Sequence, residues 1–133
     1  MTQPGHTETV FDLKINPSNK DLLATASYDG TMKFWDITTM KIINTIDTLR
    51  ASEIALASKQ HPIDHREKNI LYSICWSSFK GSPKIATCNN KGVVMIFDYK
   101  KGKMDSFAIP SKSFSPIACI DWKQGKFGPQ SLQ

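Results

Sequence analysis

From Val10 onward, apolar and polar positions alternate in short runs, each closed by turn residues. In "VFDLKINP" the apolar positions Val10, Leu13 and Ile15 stand as core anchors. "PSNKD" breaks the run with residue types that favour turns. "LLATAS" reads as a second strand, Asp29-Gly30 as a tight turn and "TMKFWDI" as a third strand. "TTMK" turns the chain again and "IINTI" reads as a fourth. The assignment rests on alternation, β-branched enrichment and turn residues at both ends of each run. Together these four strands predict one antiparallel meander.

The same order then returns. "LYSICWSS" places Leu71, Ile74 and Trp76 at the spacing of Val10, Leu13 and Ile15. "KIATCNNKG" matches "LLATASYDG", "VVMIFD" matches "TMKFWD", and "KMDSFAI" supplies a fourth strand. A third start follows in "PIACIDW", with Ile117, Ile120 and Trp122 at the anchor positions. The interval from Leu71 to Ile117 is close to the period of about 40–45 residues expected of a four-stranded propeller blade. The interval before Leu71 is longer because of an insert. The chain thus divides into a first blade over 1–46, an inserted loop over 47–69, a second and degenerate blade over 70–109, and the start of a third over 110–133. In the insert, Asp47 or Thr48 is placed to cap a short helix running to about Ser58, a marginal element on its own.

The first unit, "GHTETVFDLKINPSNKDLLATASYDGTMKFWDI", resembles a WD repeat of the β-propeller family: it opens on Gly-His, turns on Ser-x-Asp-Gly and closes on Trp-Asp. The likeness is specific over residues 5–46, looser over 70–109 and partial over 115–133. Its rhythm is similar to that of large scaffolds in trafficking and ciliary complexes. The fold expected is all-β, with antiparallel four-stranded propeller blades, about two and a third blades of an incomplete WD-repeat propeller. The resemblance implies a hydrogen-bonded structural tetrad of His6, Ser27, Asp29 and Trp35. Such a network pins strand register only if every member is satisfied. In the second blade Glu67, Asn89, Lys91 and Phe97 stand at those four positions. The expectation there is a blade held by packing alone, and less rigid.

The family also implies where partners bind. Carried onto this chain, the rim positions are Thr9, Phe11 and Tyr28 in the first blade, and Ile70, Tyr72 and Asn90 in the second. Phe11 falls outside the Val10, Leu13, Ile15 set, so a bulge between Val10 and Leu13 is expected to turn it outward. Phe11, Tyr28 and Tyr72 form an aromatic group of the sort that anchors protein interfaces.

Composition adds limits. The 133 residues are 40% hydrophobic and 22% charged, enough for a core in one ordinary domain. No apolar run approaches the length needed to cross a bilayer, so no membrane insertion is expected. "MTQPGHTETV" lacks the basic start and apolar centre of a signal peptide. Cys75, Cys88 and Cys119 each sit in an apolar run and read as buried small hydrophobes in a reducing, cytoplasmic setting, with cilium or cytoskeleton as alternatives. His61 and His65 are four apart, but Pro62 interrupts a helix between them and no cysteine completes a site. No metal and no cofactor is expected. Lys100, Lys101 and Lys103 read as a solvated hairpin turn.

The function expected is a non-enzymatic WD-repeat scaffold that binds other proteins. The net charge of +5 permits an RNA-binding propeller as an alternative, although nucleic-acid binders usually add a longer basic stripe. A Ser-His hydrolase built on Ser27 and His6 is a third reading, weakened by the absence of a G-x-S-x-G elbow. Propellers typically close with about 4–8 blades. Further blades from a longer chain, a partner or self-association are therefore expected to complete the ring.

Overall fold

The structure, a computed structural model, describes residues 9–77, 84–125 and 128–132, with side chains described over 9–77 and 84–121. Two four-stranded antiparallel sheets follow one another along the chain. The first holds β1 (Val10–Asn16), β2 (Asn19–Ser27), β3 (Thr31–Asp36) and β4 (Lys41–Asp47), in that spatial order. A helix, α1 (Leu49–Ser58), and a connection over 59–70 lead to the second. There β5 (Leu71–Trp76), β6 (Lys84–Asn89), β7 (Val94–Asp98) and β8 (Lys103–Ala108) repeat the meander. A hairpin of β9 (Trp122–Gly125) and β10 (Gly128–Leu132) ends the described chain. The architecture is all-β, the two sheets are stacked blades, and they do not close a ring.

One core joins the two sheets. On β2 and β3, Leu22, Ala24, Ala26, Met32 and Phe34 share a face and are buried against Leu71, Ile74, Trp76, Ile85, Met95 and Phe97 of the second sheet. The innermost strand of the second sheet, β5, lies against β1 and β2. Phe34 meets Trp76 edge-on with ring centroids 5.7 Å apart, an arrangement the ring quadrupoles favour. Polar contacts fix the stacking. The Asp12 carboxylate accepts from the Ile74 backbone N–H at 2.9 Å, and the Trp76 indole donates to the Lys14 carbonyl at 3.0 Å.

The two anchor sets behave differently. Leu71, Ile74 and Trp76 are buried, whereas Leu13 and Ile15 are 45% and 53% exposed. Leu13 and Ile15 lie on the face of the first sheet that points away from the second, so no layer among the described residues covers them. The core reading of Leu13 and Ile15 is corrected accordingly.

The insert is tied down. Ala55 and Leu56 of α1 join the shared core. Thr48 precedes the helix, but its hydroxyl donates to the Gly30 carbonyl at 2.9 Å and makes no cap bond to the helix. Asp47 instead accepts the Leu49 N–H at 3.0 Å. Gly30 has a φ of 81°, and a Cβ there would stand 2.7 Å from the Asn69 carbonyl oxygen, so the turn and the insert need glycine at this position.

Candidate protein-docking rim

The latch of the first sheet forms around Thr25. Strand pairing sets Leu23 opposite Trp35 and Thr25 opposite Lys33. Thr25 and Trp35 are therefore diagonal neighbours on one face, within reach of a long side chain. The Trp35 indole N–H donates to the Thr25 hydroxyl at 3.0 Å, and both residues are buried. Thr25 is thus a partner of the indole from outside the expected tetrad of His6, Ser27, Asp29 and Trp35. Ser27 is also buried, but its hydroxyl donates to the Thr9 carbonyl at 2.9 Å and accepts the Asp29 N–H at 3.2 Å. Asp29 in turn accepts from the Thr31 backbone N–H at 2.9 Å and from its hydroxyl at 2.6 Å. His6 lies outside the described residues.

The second sheet has a latch of its own, contrary to the expectation of packing alone. Glu67 and Lys91, at the positions of the first unit's His and Asp, form an ion pair. Asn89 is fully buried, and all its amide groups that the fold encloses find partners. Its Oδ1 accepts from the backbone N–H groups of Lys91 and Val93, each at 3.0 Å. Its Nδ2 donates to Ser52 Oγ at 2.7 Å and to Asn69 Oδ1 at 3.0 Å, so the asparagine also fastens α1 and the connection. Thr87, equivalent to Thr25, faces Phe97, which has no N–H to offer. Its hydroxyl donates to the Ser73 carbonyl at 2.9 Å instead.

Above these latches lies the rim. Pairing of β1 with β2 slips between Val10 and Asp12, the irregularity that frees Phe11 from the alternation. Its ring is 45% exposed and sits 5.9 Å from the Tyr28 ring and 5.3 Å from that of Tyr72. Lys68 places its ammonium over the Tyr28 ring at 4.7 Å, within cation–π range. Thr9 is exposed and its carbonyl accepts the Tyr28 N–H at 2.9 Å. The remaining two positions are less available. Ile70 is buried, so it presents little to a partner. It exchanges bonds with Asn90: the Asn90 N–H donates to the Ile70 carbonyl, and the Asn90 side chain accepts the Ile70 N–H at 2.9 Å. The Asn90 Nδ2 donates to the Lys68 carbonyl. Thr9, Phe11, Tyr28, Tyr72 and Asn90 are thus the exposed or half-exposed members of the predicted set, with the Asn90 amide engaged at both ends.

Beside the rim, α1 and the connection wall a cavity of about 370 Å³. Its lining includes Tyr28 and the carboxylates of Asp29, Asp47, Glu53, Asp64 and Glu67. His65 Nδ1 lies 3.1 Å from Glu53, and His61 stacks on Phe114 at 3.9 Å. The two histidines do not converge, and among the described residues no group of His, Cys, Asp and Glu side chains is arranged to hold a metal ion.

The WD domain, G-beta repeat family matches residues 1–36. The chain is 40% identical over 66 residues to a ribosome biogenesis protein WDR12 homolog of Dictyostelium discoideum, covering 50% of this chain and 14% of that protein. It is 32% identical over 74 residues to the ribosome biogenesis protein YTM1 of Lodderomyces elongisporus, 56% of this chain and 12% of that protein. Coronin-7 of Mus musculus matches at 29% identity over 118 residues, 89% of this chain and 11% of that protein. The Cps50 (Swd1) β-propeller domain of Myceliophteria thermophila superposes with a TM-score of 0.61 at 18% identity, over 88% of this chain and 30% of that one. The chain carries a WD repeat over residues 1–36.

The matched stretch spans only a small part of each of these relatives. Their names are those of ribosome biogenesis proteins and coronins, so the ciliary assignment finds no support in them. Within the WD-repeat chain, Thr25, Glu67, Asn89 and Lys91 carry latch contacts that sequence reasoning placed elsewhere or left out. The signal for Thr25 was there: it shares the alternation of Ser27 and stands nearer Trp35 across the turn. The cysteine reading also changes at one position. Cys75 and Cys88 are buried, and burial pushes both thiols up to about 12, while Cys119 is exposed. Cys119 lies in the segment whose Ile117 and Ile120 turn inward against the second sheet.

Proposed function

We propose that this WD-repeat chain is a non-catalytic docking module that holds a protein partner against the Phe11, Tyr28 and Tyr72 rim, in an assembly of the ribosome-biogenesis kind. The carrying observation is Phe11. A bulge turns it out of the sheet and sets it between aromatics of two successive blades, where one partner side chain can engage both. Aromatic anchors of this sort dominate interface energetics. The relatives' names support the choice of assembly. The net charge of +5 is the one feature that favours the RNA-binding reading. Against it, the adjoining cavity sets the carboxylates of Asp29, Asp47, Glu53, Asp64 and Glu67 beside Lys68 and Lys91, and against a hydrolase the buried Ser27 hydroxyl is engaged by the Thr9 carbonyl and the Asp29 N–H.

The test is affinity capture with the tagged chain as bait, followed by Phe11→Ala and Tyr72→Ala. Each is expected to weaken capture of the partner roughly ten- to thirtyfold, as loss of an interface anchor does. Met40→Ser, at an exposed apolar position in the β3–β4 turn, is expected to leave it unchanged. Capture indifferent to both rim substitutions overturns the reading.

A further inference from the structure

The cavity of about 370 Å³ beside the rim is walled by the insert, which the four-stranded repeat itself does not contain. Its frame is held by buried polar contacts. The Thr48 hydroxyl donates to the Gly30 carbonyl and accepts from Asn69 Nδ2 at 2.8 Å. The buried Asn89 amide ties Ser52 of α1 to Asn69 of the connection. A site fixed in this way costs little ordering when a ligand enters.

The lining is of two kinds. Leu49, Leu56, Pro62 and Ile63 are apolar, and Leu56 and Ile63 belong to or pack on the shared core. Five carboxylates face the ammonium groups of Lys68 and Lys91 alone, an acidic excess on a chain whose net charge is +5. A long aliphatic stem that ends in a cation satisfies both kinds of lining at once. Several carboxylates are already engaged: Glu67 with Lys91, Asp64 with Arg66, and Asp29 with the Thr31 N–H and hydroxyl. Asp47 and Glu53 then stand as the acceptors for a cation from outside, Glu53 beside the His65 ring at 3.1 Å.

Tyr28 belongs to the rim and to the cavity together. Its ring lies 5.9 Å from that of Phe11, and it lines the cavity wall. The chain already sets a cation against this ring, the Lys68 ammonium at 4.7 Å from its centroid. A guanidinium suits the same place better, because it is planar, weakly hydrated, stacks on aromatic faces and pairs with carboxylates through a fork of donors.

We propose that the partner segment docked on the rim is basic: beside the side chain seated on Phe11 and Tyr72, an arginine enters the insert cavity, stacks on Tyr28 and pairs with Asp47 and Glu53. The inference rests on the docking reading above and adds the chemistry of the partner.

The experiment is fluorescence anisotropy of the full chain with two labelled peptides, GSWRSG and GSWQSG, which differ only in the arginine. The arginine peptide is expected to bind about tenfold more tightly, with a ratio that shrinks as salt is raised. Asp47→Asn combined with Glu53→Gln removes both charges, keeps an acceptor for the Leu49 N–H, and is expected to bring the two affinities together. Circular dichroism checks that the fold persists. Lys68→Gln takes the resident cation off Tyr28 and is expected to widen the ratio. Phe11→Ala is expected to weaken both peptides alike, so the ratio between peptides reports on the cavity and their common affinity on the rim. Equal affinities for the two peptides, or no measurable binding, overturn the proposal and leave the rim reading to its own test. An arginine preference that survives the Asp47→Asn, Glu53→Gln variant overturns it too. Indifference of both peptides to Phe11→Ala counts against the rim reading on which it rests.

Discussion

Single side chains decide how each sheet is fastened. Thr25→Val keeps the shape of the side chain and removes the acceptor facing the Trp35 indole. The buried N–H left behind is expected to cost about 1–3 kcal/mol, measured by chemical denaturation. The Glu67–Lys91 pair is half open to water, so its worth is smaller. Glu67→Lys or Lys91→Glu alone is expected to lower stability by about 0.2–1 kcal/mol, and the double exchange to recover most of it. A double-mutant cycle reads the coupling directly. These residues also show what the sequence made legible. Strand alternation put Thr25 and Ser27 on one face and could not choose between them. The choice depends on a diagonal contact, which needs the pairing register. The Glu67–Lys91 pair was hidden for a different reason. Each residue departs from the repeat pattern, and only the fold shows that the two departures meet.

At the scale of elements, the hairpin turns are held by carboxylates. Asp36 accepts from the Thr38 hydroxyl at 2.6 Å and its N–H at 2.9 Å, and Asp98 accepts from the Lys101 N–H at 3.0 Å. The Thr38 hydroxyl holds Asp36 below the usual value of 3.8, and the Lys101 backbone N–H does the same for Asp98. A carboxyl depressed in the folded state contributes stability that is fully present above its unfolded value and lost as pH falls through the folded one. Thermal unfolding midpoints are therefore expected to fall as pH drops below 3.8, and Asp36→Asn is expected to reduce the fall. The insert teaches a second lesson about elements. A short helix after Asp47 was readable, because propensity and a capping residue suffice for that. Its anchorage was not, since Asn89 and Asn69 lie far along the chain from Ser52 and Thr48.

For the whole molecule, the shared core makes the two blades one cooperative unit. Phe34 is fully buried and touches Trp76 and Tyr99 of the second sheet. Phe34→Ala is expected to cost about 3–5 kcal/mol. Unfolding followed by tryptophan fluorescence and by circular dichroism should still give coincident transitions, since both sheets depend on that ring. Separate transitions would show blades that melt independently. The fold class was legible because the meander recurs, and repetition is visible without coordinates. Which face of each blade is covered was not, because both faces are apolar and only stacking order distinguishes them. The two copies of the threonine latch also imply an order in which such a repeat can decay. Losing the indole first strands no donor, because the Thr25 hydroxyl also donates to the Lys33 carbonyl, as that of Thr87 does to Ser73. Losing the hydroxyl first strands an N–H with nothing to receive it. The two changes are therefore unequal: one leaves the hydroxyl its main-chain partner, the other leaves a buried donor unpaired.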